Sequence, residues 1–456
     1  MHRRRVLLVG FLVLVLPHSA VADSPPRPNI LVCMADDWGW PSSPLYGDMA
    51  AVTPAFERLA RDGVLFHRAY CSVPSCTPSR ASFLSGQDFF RLKETSCLWG
   101  EFPKRLPIYT DLLAEQGYAL GLASKGWGPG SFAASGRKHN PAGPVVGDFG
   151  AFVRSLPDDK SFCFWLGSQD PHRPYRKDSG VKAGFDPDRV IVPKFLPDEP
   201  VVRRDLCDYL AEVARFDAEV GQAIKVLEET GRYDNTLIIM TGDNGMPFPR
   251  CKMNLYDWGV RQPLVIAWKA RIPTGRSCDD FVSLIDIAPT ILDAVGVPLP
   301  DEMTGRSLLP MLLSTASGVL DQTRDSVVTG REWHGVSYPM RSIRTRRYSY
   351  IRNYRPDVRP LFADDGPTKQ RILERPSTDN CSQYEDLCFG LRPAEELYDL
   401  DADPYEISNK ASDPAYATIL ETMRKRLDDY LVARQDPRAL GDTSFFDSFV
   451  PIRRKR

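Results

Sequence analysis

The sequence predicts an α/β protein with a large, mostly parallel sheet flanked by helices, followed by a smaller antiparallel sheet near the carboxyl end. Short apolar runs typical of buried strands occupy residues 29–35, 161–167, 236–241 and 263–268. Between these runs, apolar residues recur at helical spacing, most clearly from 204 to 230. Strands that alternate with helices favour parallel pairing, with helices covering both faces of the sheet.

The carboxyl-terminal part has a different character. After about residue 338 the chain changes to short aromatic segments, arginines and proline-rich loops, and a helical pattern follows at 416–433. We therefore expect a catalytic region at 23–337 and a smaller α+β subdomain at 338–456. The 456 residues allow a large core, and α/β enzymes commonly form one large unit at this length.

The amino terminus predicts export. Three arginines at 3–5 precede an apolar run at 6–16 and the small residues 20–22, a pattern typical of a signal peptide over residues 1–22. The run is too short to span a bilayer of about 30 Å, and no later segment is long enough, so we expect no membrane association. Cleavage would leave a secreted, periplasmic or lysosomal protein.

Charge and composition argue against nucleic-acid partners. The formal net charge is −1, so any anionic ligand must rely on local clusters of lysine and arginine. The basic run at 341–347 alternates with apolar residues and fits a strand with one exposed face, with a subsite for an anionic sugar as the alternative. We therefore expect no nucleic-acid binding.

Polar side chains follow two of the predicted strands. Asp36 and Asp37 come directly after the first strand, and Asp243 and Asn244 follow the strand at 236–241. Parallel strands end at one edge of the sheet, where paired carboxylates need a cation to offset their repulsion. All four side chains offer oxygen, which suits Ca²⁺ or Mg²⁺ and not Zn²⁺. The alternative is that these acids are turn formers or helix caps.

The segment Cys76-Thr77-Pro78-Ser79-Arg80 has the form Cys-x-Pro-x-Arg, the recognition pattern of type I sulfatases. Together with the acids at the two strand ends, it resembles the sulfatase family of the alkaline phosphatase-like superfamily, from about residue 27 to 413. A proline-containing turn with an unreactive thiol is the alternative interpretation of the segment alone. The resemblance implies an alkaline phosphatase/sulfatase-like fold.

The resemblance also implies a modified nucleophile at Cys76. In the family, a formylglycine-generating or sulfatase-maturing enzyme converts this thiol to Cα-formylglycine. One hydroxyl of its hydrate attacks sulfur, and deprotonation of the other collapses the sulfated intermediate and releases sulfate. The family therefore implies a sulfohydrolase that acts on a sulfated sugar.

Other site residues follow from the family pattern. One Ca²⁺ per chain is implied, and its ligands are Asp36, Asp37, Asp243, Asn244 and an oxygen of the modified Cys76. Arg80 lies beside the formylglycine in the family, Lys125 and Lys252 match its sulfate-binding cations, and His172 matches the histidine at the leaving group. Fixed cations stabilise charge that develops on sulfate oxygens.

One position departs from the family pattern. The family usually has Lys-x-His, and here Trp127 stands where that histidine is expected. Another residue, with His139 as a candidate, takes over its role, or the activity is weakened. Trp127 itself is either a buried packing residue or an aromatic wall for a sugar ring.

Three segments resemble the heparan N-sulfatases, the N-sulfoglucosamine sulfohydrolases, within the family. They lie at 243–256, 337–342 and 170–173. The implied substrate is N-sulfoglucosamine of heparan sulfate or heparin. Cleavage of a sulfamate expels an amine that leaves poorly unless protonated, so His172 is the proposed general acid. Glu332 and His334 are candidates for a sugar subsite.

Other functions remain as alternatives at this point. An O-sulfatase acting on a sulfated sugar would use the same residues, and a phosphate-ester hydrolase of the superfamily would bind a similar tetrahedral anion. A non-catalytic sugar-binding relative is suggested only by Trp127. A homodimer is compatible with the sequence, which does not determine the oligomeric state.

Overall fold

The computed structural model describes residues 27–361, 363–374 and 381–452, with the backbone alone for 381 and 382. The predicted signal peptide at 1–22 lies outside these residues. None of the described helices is both long enough and apolar enough to cross a membrane.

The larger sheet has eight strands. They are β1 Asn29–Ala35, β2 Gly63–Tyr70, β3 Ala119–Ala123, β4 Phe162–Gly167, β5 Thr236–Gly242, β6 Arg261–Ala267, β7 Arg276–Cys278 and β8 Val282–Ser283. Their order is β3-β4-β1-β5-β6-β2-β7, and β8 pairs with β2. Strands β3, β4, β1 and β5 are parallel neighbours, whereas β6 is antiparallel to both β5 and β2. The predicted mostly parallel sheet is confirmed, and the four predicted strands correspond to β1, β4, β5 and β6.

Helices cover both faces of this sheet. The helices are α1 Pro54–Asp62, α2 Cys76–Ser85, α3 Tyr109–Glu115, α4 Phe149–Ser155, α5 Ser179–Lys182, α6 Pro200–Glu229, α7 Asp257–Val260, α8 Ile287–Ala294, α9 Leu309–Leu313, α10 Pro367–Leu373, α11 Cys381–Phe389, α12 Ala417–Ala433 and α13 Ser444–Asp447. Short 3₁₀ turns lie at Pro44–Tyr46, Phe89–Arg91, Lys93–Thr95, Leu284–Asp286 and Pro414–Tyr416. Helix α6 begins four residues before the predicted 204, at Pro200, a residue that suits the first turn of a helix.

The alternation of side chains along β1 explains the two layers of helices. Ile30, Val32 and Met34 pack into a core that includes residues of α2 and α8. Their neighbours Leu31 and Cys33 point to the opposite face, into the core that α6 closes. The continuous apolar run predicted from the sequence is therefore buried on both sides.

A second sheet follows along the chain. Its strands are β9 Ser326–His334, β10 Val336–Thr345, β11 Tyr348–Asn353 and β12 Glu395–Asp399, in the antiparallel order β12-β11-β10-β9. Helix α12 closes the core of this sheet with Met423, Leu427 and Leu431. The predicted antiparallel sheet is confirmed, and it begins at Ser326, ahead of residue 338, where we expected the second region to start.

A group of buried charges supports β9 and β10. Arg341 lies 2.6 Å from a carboxylate oxygen of Glu332 and 2.5 Å from one of Asp436, and Arg438 lies 2.7 Å from Glu332. These contacts correct the expectation that Glu332 belongs to a sugar subsite. Its carboxylate is buried between two guanidinium groups, where an ion must be paired to be stable.

We predict that Arg341→Met destabilises the protein strongly. The substitution leaves the buried Asp436 without its guanidinium partner, which costs about 3–5 kcal/mol. The measurement is the free energy of unfolding in urea. The matched control is Arg426→Met, whose 2.7 Å pair with Asp325 has side chains 37% and 59% exposed. The control should change the free energy of unfolding by less than about 1 kcal/mol. Equal losses in both variants would contradict the structural role of Arg341.

Candidate active site

The register of two parallel strands gathers the predicted acids. Strands β1 and β5 run side by side with Ala35 opposite Gly242, so the residues that follow both strands meet at one edge. The Asp37 backbone N–H donates to Asp243 Oδ1 over 2.9 Å and fixes this arrangement. All of these acids are buried. One carboxylate oxygen from each of the three acids and the sulfur of Cys76 lie within 4.8 Å of one another, namely Asp36, Asp37, Cys76 and Asp243.

Cys76 is the first residue of α2, and its sulfur points into the acidic group. Sγ lies 3.4 Å from Asp36 Oδ1 and 3.8 Å from Asp37 Oδ1, and the residue is only 2% exposed. Burial, together with the charge of Asp36, raises the pKa of the Cys76 thiol well above its usual value. The unmodified side chain is therefore a neutral thiol and a poor nucleophile.

Arg80 follows one turn later on the same face of α2. Its Nε lies 2.7 Å from Asp243 Oδ2, and Nη1 donates to the backbone carbonyls of Lys125 and Gly126 over 3.1 and 3.0 Å. The side chain is completely buried. Arg80 therefore joins α2 to the ends of β5 and β3, as a structural link and as a fixed positive charge beside Cys76.

Two lysines reach the same acids from other segments. Lys125, just after β3, pairs with Asp36, and Lys252 Nζ lies 2.7 Å from Asp37 Oδ2. Burial raises the pKa of Asp36, but Lys125 and Arg80 outweigh it and hold that pKa below the usual range. At Asp37 burial outweighs Lys252, and the pKa is raised. The predicted residues Cys76, Arg80, Lys125 and Lys252 thus come together with the acids.

Beside the acids, Asn244 places an amide oxygen that has no hydrogen-bond partner in the described part of the chain. Its Nδ2 donates to Asp37 Oδ1 over 2.6 Å, whereas its Oδ1 is buried without a hydrogen-bond donor among the described residues. A buried oxygen without a partner is costly, and a cation would satisfy it. Three carboxylates and one amide oxygen form a donor set that fits Ca²⁺ or Mg²⁺.

His172 lies on the more open side of the site. Its Nδ1 is 2.5 Å from the carbonyl oxygen of Arg173, and a carbonyl only accepts, so Nδ1 carries a proton. Nε2 faces inward, 3.8 Å from Asp37 Oδ2, and the side chain is 33% exposed. This geometry leaves Nε2 available for proton transfer to a bound ligand.

Asp364 belongs to the site but was not predicted from the sequence. Its Oδ2 lies 3.0 Å from Lys252 Nζ, and one of its oxygens lies within 4.8 Å of ligand atoms of Asp37 and His172. The residue lies in the loop before α10, in the segment Asp364-Asp365-Gly366, which looks like an ordinary turn. No spacing or strand pattern in the sequence relates this loop to the acids.

The two remaining predicted histidines have different positions. His334 Nδ1 lies 2.8 Å from Ser75 Oγ, directly before Cys76. Burial, and then the nearby Arg331, lower the pKa of His334 well below its usual value, so it is neutral. His139 is exposed, with Nδ1 3.1 Å from the Asn140 carbonyl oxygen, and has no contact with Cys76. The structure therefore does not place His139, the candidate to take over the role of the missing histidine, at the site.

Trp127 packs beneath α2. Its Nε1 donates to the Thr77 carbonyl over 3.0 Å, and its ring centroid is 5.0 Å from that of Phe102 in an edge-on arrangement. The residue is buried. Of the two roles considered for Trp127, the structure supports packing and not an aromatic wall for a sugar.

Comparison with protein families gives two matches. The sulfatase family model matches residues 28–136 and 148–297. The model of the N-sulphoglucosamine sulphohydrolase carboxyl-terminal domain matches residues 250–369.

Individual relatives agree with these matches. Human N-sulphoglucosamine sulphohydrolase is 32% identical over 471 residues, which cover 90% of this chain and 91% of the relative. An ulvan-active sulfatase of Formosa agariphila is 26% identical and covers 93% of this chain and 78% of its own length.

Solved structures share the fold at lower identity. A protein in complex with its substrate D-glucosamine-2-N,6-O-disulfate superposes with a TM-score of 0.67 and 18% identity over 90% of this chain and 98% of its own. The phosphonate monoester hydrolase of Agrobacterium radiobacter also gives a TM-score of 0.67 at 18% identity, over 90% and 96% of the two chains.

We predict that Trp127 contributes to stability through packing. Trp127→Ala removes the buried ring and lowers the free energy of unfolding by about 3–5 kcal/mol. Trp127→Phe keeps an aromatic ring but loses the N–H donor to Thr77, and costs at least about 1 kcal/mol. Urea unfolding measures both. Two variants as stable as the parent protein would contradict the packing role.

Proposed function

This chain belongs to the sulfatase family, and on that premise we propose that it releases inorganic sulfate from N-sulfoglucosamine of heparan sulfate or heparin. The observation that carries the proposal is the placement of Cys76 among three buried acids that are matched by three cations. The similarity to human N-sulphoglucosamine sulphohydrolase and the match to the carboxyl-terminal domain model support the N-sulfated substrate.

The proposal includes one Ca²⁺ per chain. Asp36, Asp37, Asp243 and Asn244 would hold it through oxygen atoms, and the partnerless Asn244 Oδ1 supports this assignment. Bound there, the cation would offset the charge of the acids and polarise the sulfate group.

The proposal also includes conversion of Cys76 to Cα-formylglycine by a maturing enzyme. The raised pKa of the thiol supports this, because an unmodified Cys76 would stay protonated at neutral pH. The hydrated aldehyde would supply one hydroxyl as the nucleophile. Loss of the proton from its second hydroxyl would re-form the aldehyde and break the C–O bond that holds the sulfate. Arg80, fixed by Asp243 and two backbone carbonyls, would hold this group in place.

Lys125 and Lys252 would bind the sulfate oxygens. Both ammonium groups are already fixed by carboxylates in a site shielded from water, so they need little rearrangement as negative charge develops. His172 would act as the general acid, because its Nδ1–H is held by the Arg173 carbonyl and Nε2 faces the site. In its imidazolium form, His172 would carry a second proton on Nε2. Transfer of this proton to the leaving nitrogen would let it depart as an amine and leave a neutral ring with its proton on Nδ1.

An O-sulfatase is the second candidate function. Another relative, the canine N-acetylgalactosamine-6-sulfatase, is 26% identical and covers 66% of this chain. For such a substrate, His172 would protonate an oxygen and the other roles would be unchanged. Export through the predicted signal peptide, to a secreted, periplasmic or lysosomal location, is part of the proposal for either substrate.

The experiment that tests the function combines mass spectrometry with sulfate release. In protein from its native host, the peptide that contains Cys76 should carry formylglycine, and glucosamine N-sulfate should be cleaved in preference to glucosamine 6-O-sulfate. Cys76→Ala should lower kcat/KM at least about 1,000-fold, because it removes the nucleophile. Sulfate release from glucosamine 6-O-sulfate alone would favour the second candidate function, an O-sulfatase. An unmodified thiol at Cys76, with neither substrate cleaved, would refute the proposal that the protein is a sulfohydrolase.

We further predict that Ca²⁺ stabilises the protein through the strand-end acids. After treatment with a chelator, calcium at about 100 times its Kd should add about 2.7 kcal/mol to the free energy of unfolding. Asp243→Asn and Asn244→Ala should abolish this increment, which thermal unfolding with and without calcium would measure.

The matched control is Asp217→Asn. Asp217 is a buried acid too, but it accepts hydrogen bonds from the Ala55 and Phe56 backbone at the start of α1. Its substitution should lower stability and leave the calcium increment intact. If calcium still raised the free energy of unfolding of Asp243→Asn and Asn244→Ala, the proposed metal site would be contradicted.

A further inference from the structure

We infer that Asp364 selects N-sulfated over O-sulfated substrates by accepting a hydrogen bond from the nitrogen of the scissile bond. The inference rests on the proposed function and assigns a role to a residue that the sequence patterns left out. It follows from one carboxylate oxygen, its position opposite His172, and the chemical difference between a sulfamate and a sulfate ester.

One oxygen of Asp364 is free to meet a ligand. Oδ2 lies 3.0 Å from Lys252 Nζ. Within the described ranges, the other oxygen has no hydrogen-bond donor, and the side chain is 25% exposed. Lys252 therefore holds the carboxylate ionised and oriented, while its second oxygen remains an acceptor.

Asp364 and His172 lie together at the open side of the site. The acids, Cys76 and Lys252 are buried, whereas these two side chains are partly exposed. A ligand atom of each lies within 4.8 Å of the other and of Asp37. A leaving group bound at this open side would lie beside both side chains.

A buried carboxylate ties the loops of these two residues together. Asp205 accepts two hydrogen bonds from the guanidinium of Arg173, next to His172, at 2.9 and 2.7 Å. The same carboxylate accepts the Thr368 hydroxyl over 2.6 Å, at the start of α10. At Gly366 a Cβ would come within 2.5 Å of the Arg173 guanidinium. The spacing between Asp364 and His172 is thus set by fixed structure.

The chemistry of the two bonds differs at the atom that would face Asp364. The nitrogen of a sulfamate carries one hydrogen, which a carboxylate oxygen can accept, whereas the bridging oxygen of a sulfate ester carries none. Two acceptors facing each other are disfavoured, so the same carboxylate favours one substrate and disfavours the other. As the S–N bond breaks, its electron pair stays on nitrogen and the proton from His172 completes the amine.

The test compares Asp364→Asn with the parent protein on two substrates that differ only by NH and O, glucosamine N-sulfate and glucose 2-sulfate. We expect kcat/KM for the N-sulfate to fall about 10- to 100-fold, the usual effect of losing a hydrogen bond to a charged group. The kcat/KM for glucose 2-sulfate should be unchanged or higher than in the parent protein, because the amide of the new asparagine can donate to the ester oxygen. The ratio of the two values is the decisive quantity.

The matched control is the neighbouring Asp365→Asn. Asp365 is 90% exposed and pairs with Lys369 over 2.8 Å, away from Lys252. It should leave both kcat/KM values and their ratio unchanged.

A binding measurement gives a readout that needs no turnover. Calorimetry with the calcium-loaded protein should show that Asp364→Asn weakens binding of glucosamine about 10-fold, because the ammonium group loses its carboxylate, and leaves glucose binding unchanged.

The outcomes separate this inference from the proposed function. If the parent protein prefers the N-sulfate and Asp364→Asn lowers both kcat/KM values equally, Asp364 only positions Lys252, and the inference alone is overturned. A parent protein that prefers the O-sulfate overturns the N-sulfatase proposal and the inference with it. A collapse of the ratio in Asp364→Asn alone supports both.

Discussion

The main constraint on the site is the repulsion among three carboxylates. Strands β1 and β5 bring these carboxylates together at one buried edge of the sheet. Coulomb repulsion between unscreened charges at these distances is large, so the surrounding chain must supply positive charge from several directions. Arg80 is supplied by helix α2, Lys125 by the segment after β3, and Lys252 by the segment after β5. These cations both stabilise the folded acids and form the surroundings in which an anion would be held.

The second sheet contributes to the site through the segment that carries Lys252. Arg331 on β9 donates to the Met253 carbonyl over 2.8 Å, and Tyr256 donates to Glu396 on β12 over the same distance. Arg392 donates to Asn254 over 2.6 Å. Because these bonds hold the residues that follow Lys252 directly, the second sheet helps to fix the position of its ammonium group. The smaller sheet is therefore part of the active-site framework, although it lies outside the strand ends that hold the acids.

The acids at the strand ends could be predicted because parallel strands end at one edge of a sheet. The Cys-x-Pro-x-Arg segment could be predicted because its pattern lies within five consecutive residues. Asp364 could not be predicted, since its role arises from a loop that tertiary packing brings to Lys252 across 112 residues. Glu332 and His334 lie just upstream of the basic run at 341–347, which made both candidates for one sugar subsite. The pairing of β9 with β10 shifts register between Ser337 and Met340, opposite this stretch, and the two side chains have separate surroundings. Pro339 lies within this stretch of β10 and is typical of such an irregularity, but it does not indicate which groups surround Glu332 and His334.

The burial of the segment from Cys76 to Arg80 has a consequence for biosynthesis. All five residues are buried, and Arg80 anchors the segment to two strand ends. A maturing enzyme that acts on Cys76 would need access to this stretch of chain, and its burial in the folded protein prevents such access. The proposed conversion of Cys76 would therefore have to precede folding, in the interval between synthesis and closure of the larger sheet. Protein that folds first would be trapped with an intact thiol, and later addition of the maturing enzyme would not rescue it unless the chain were unfolded again.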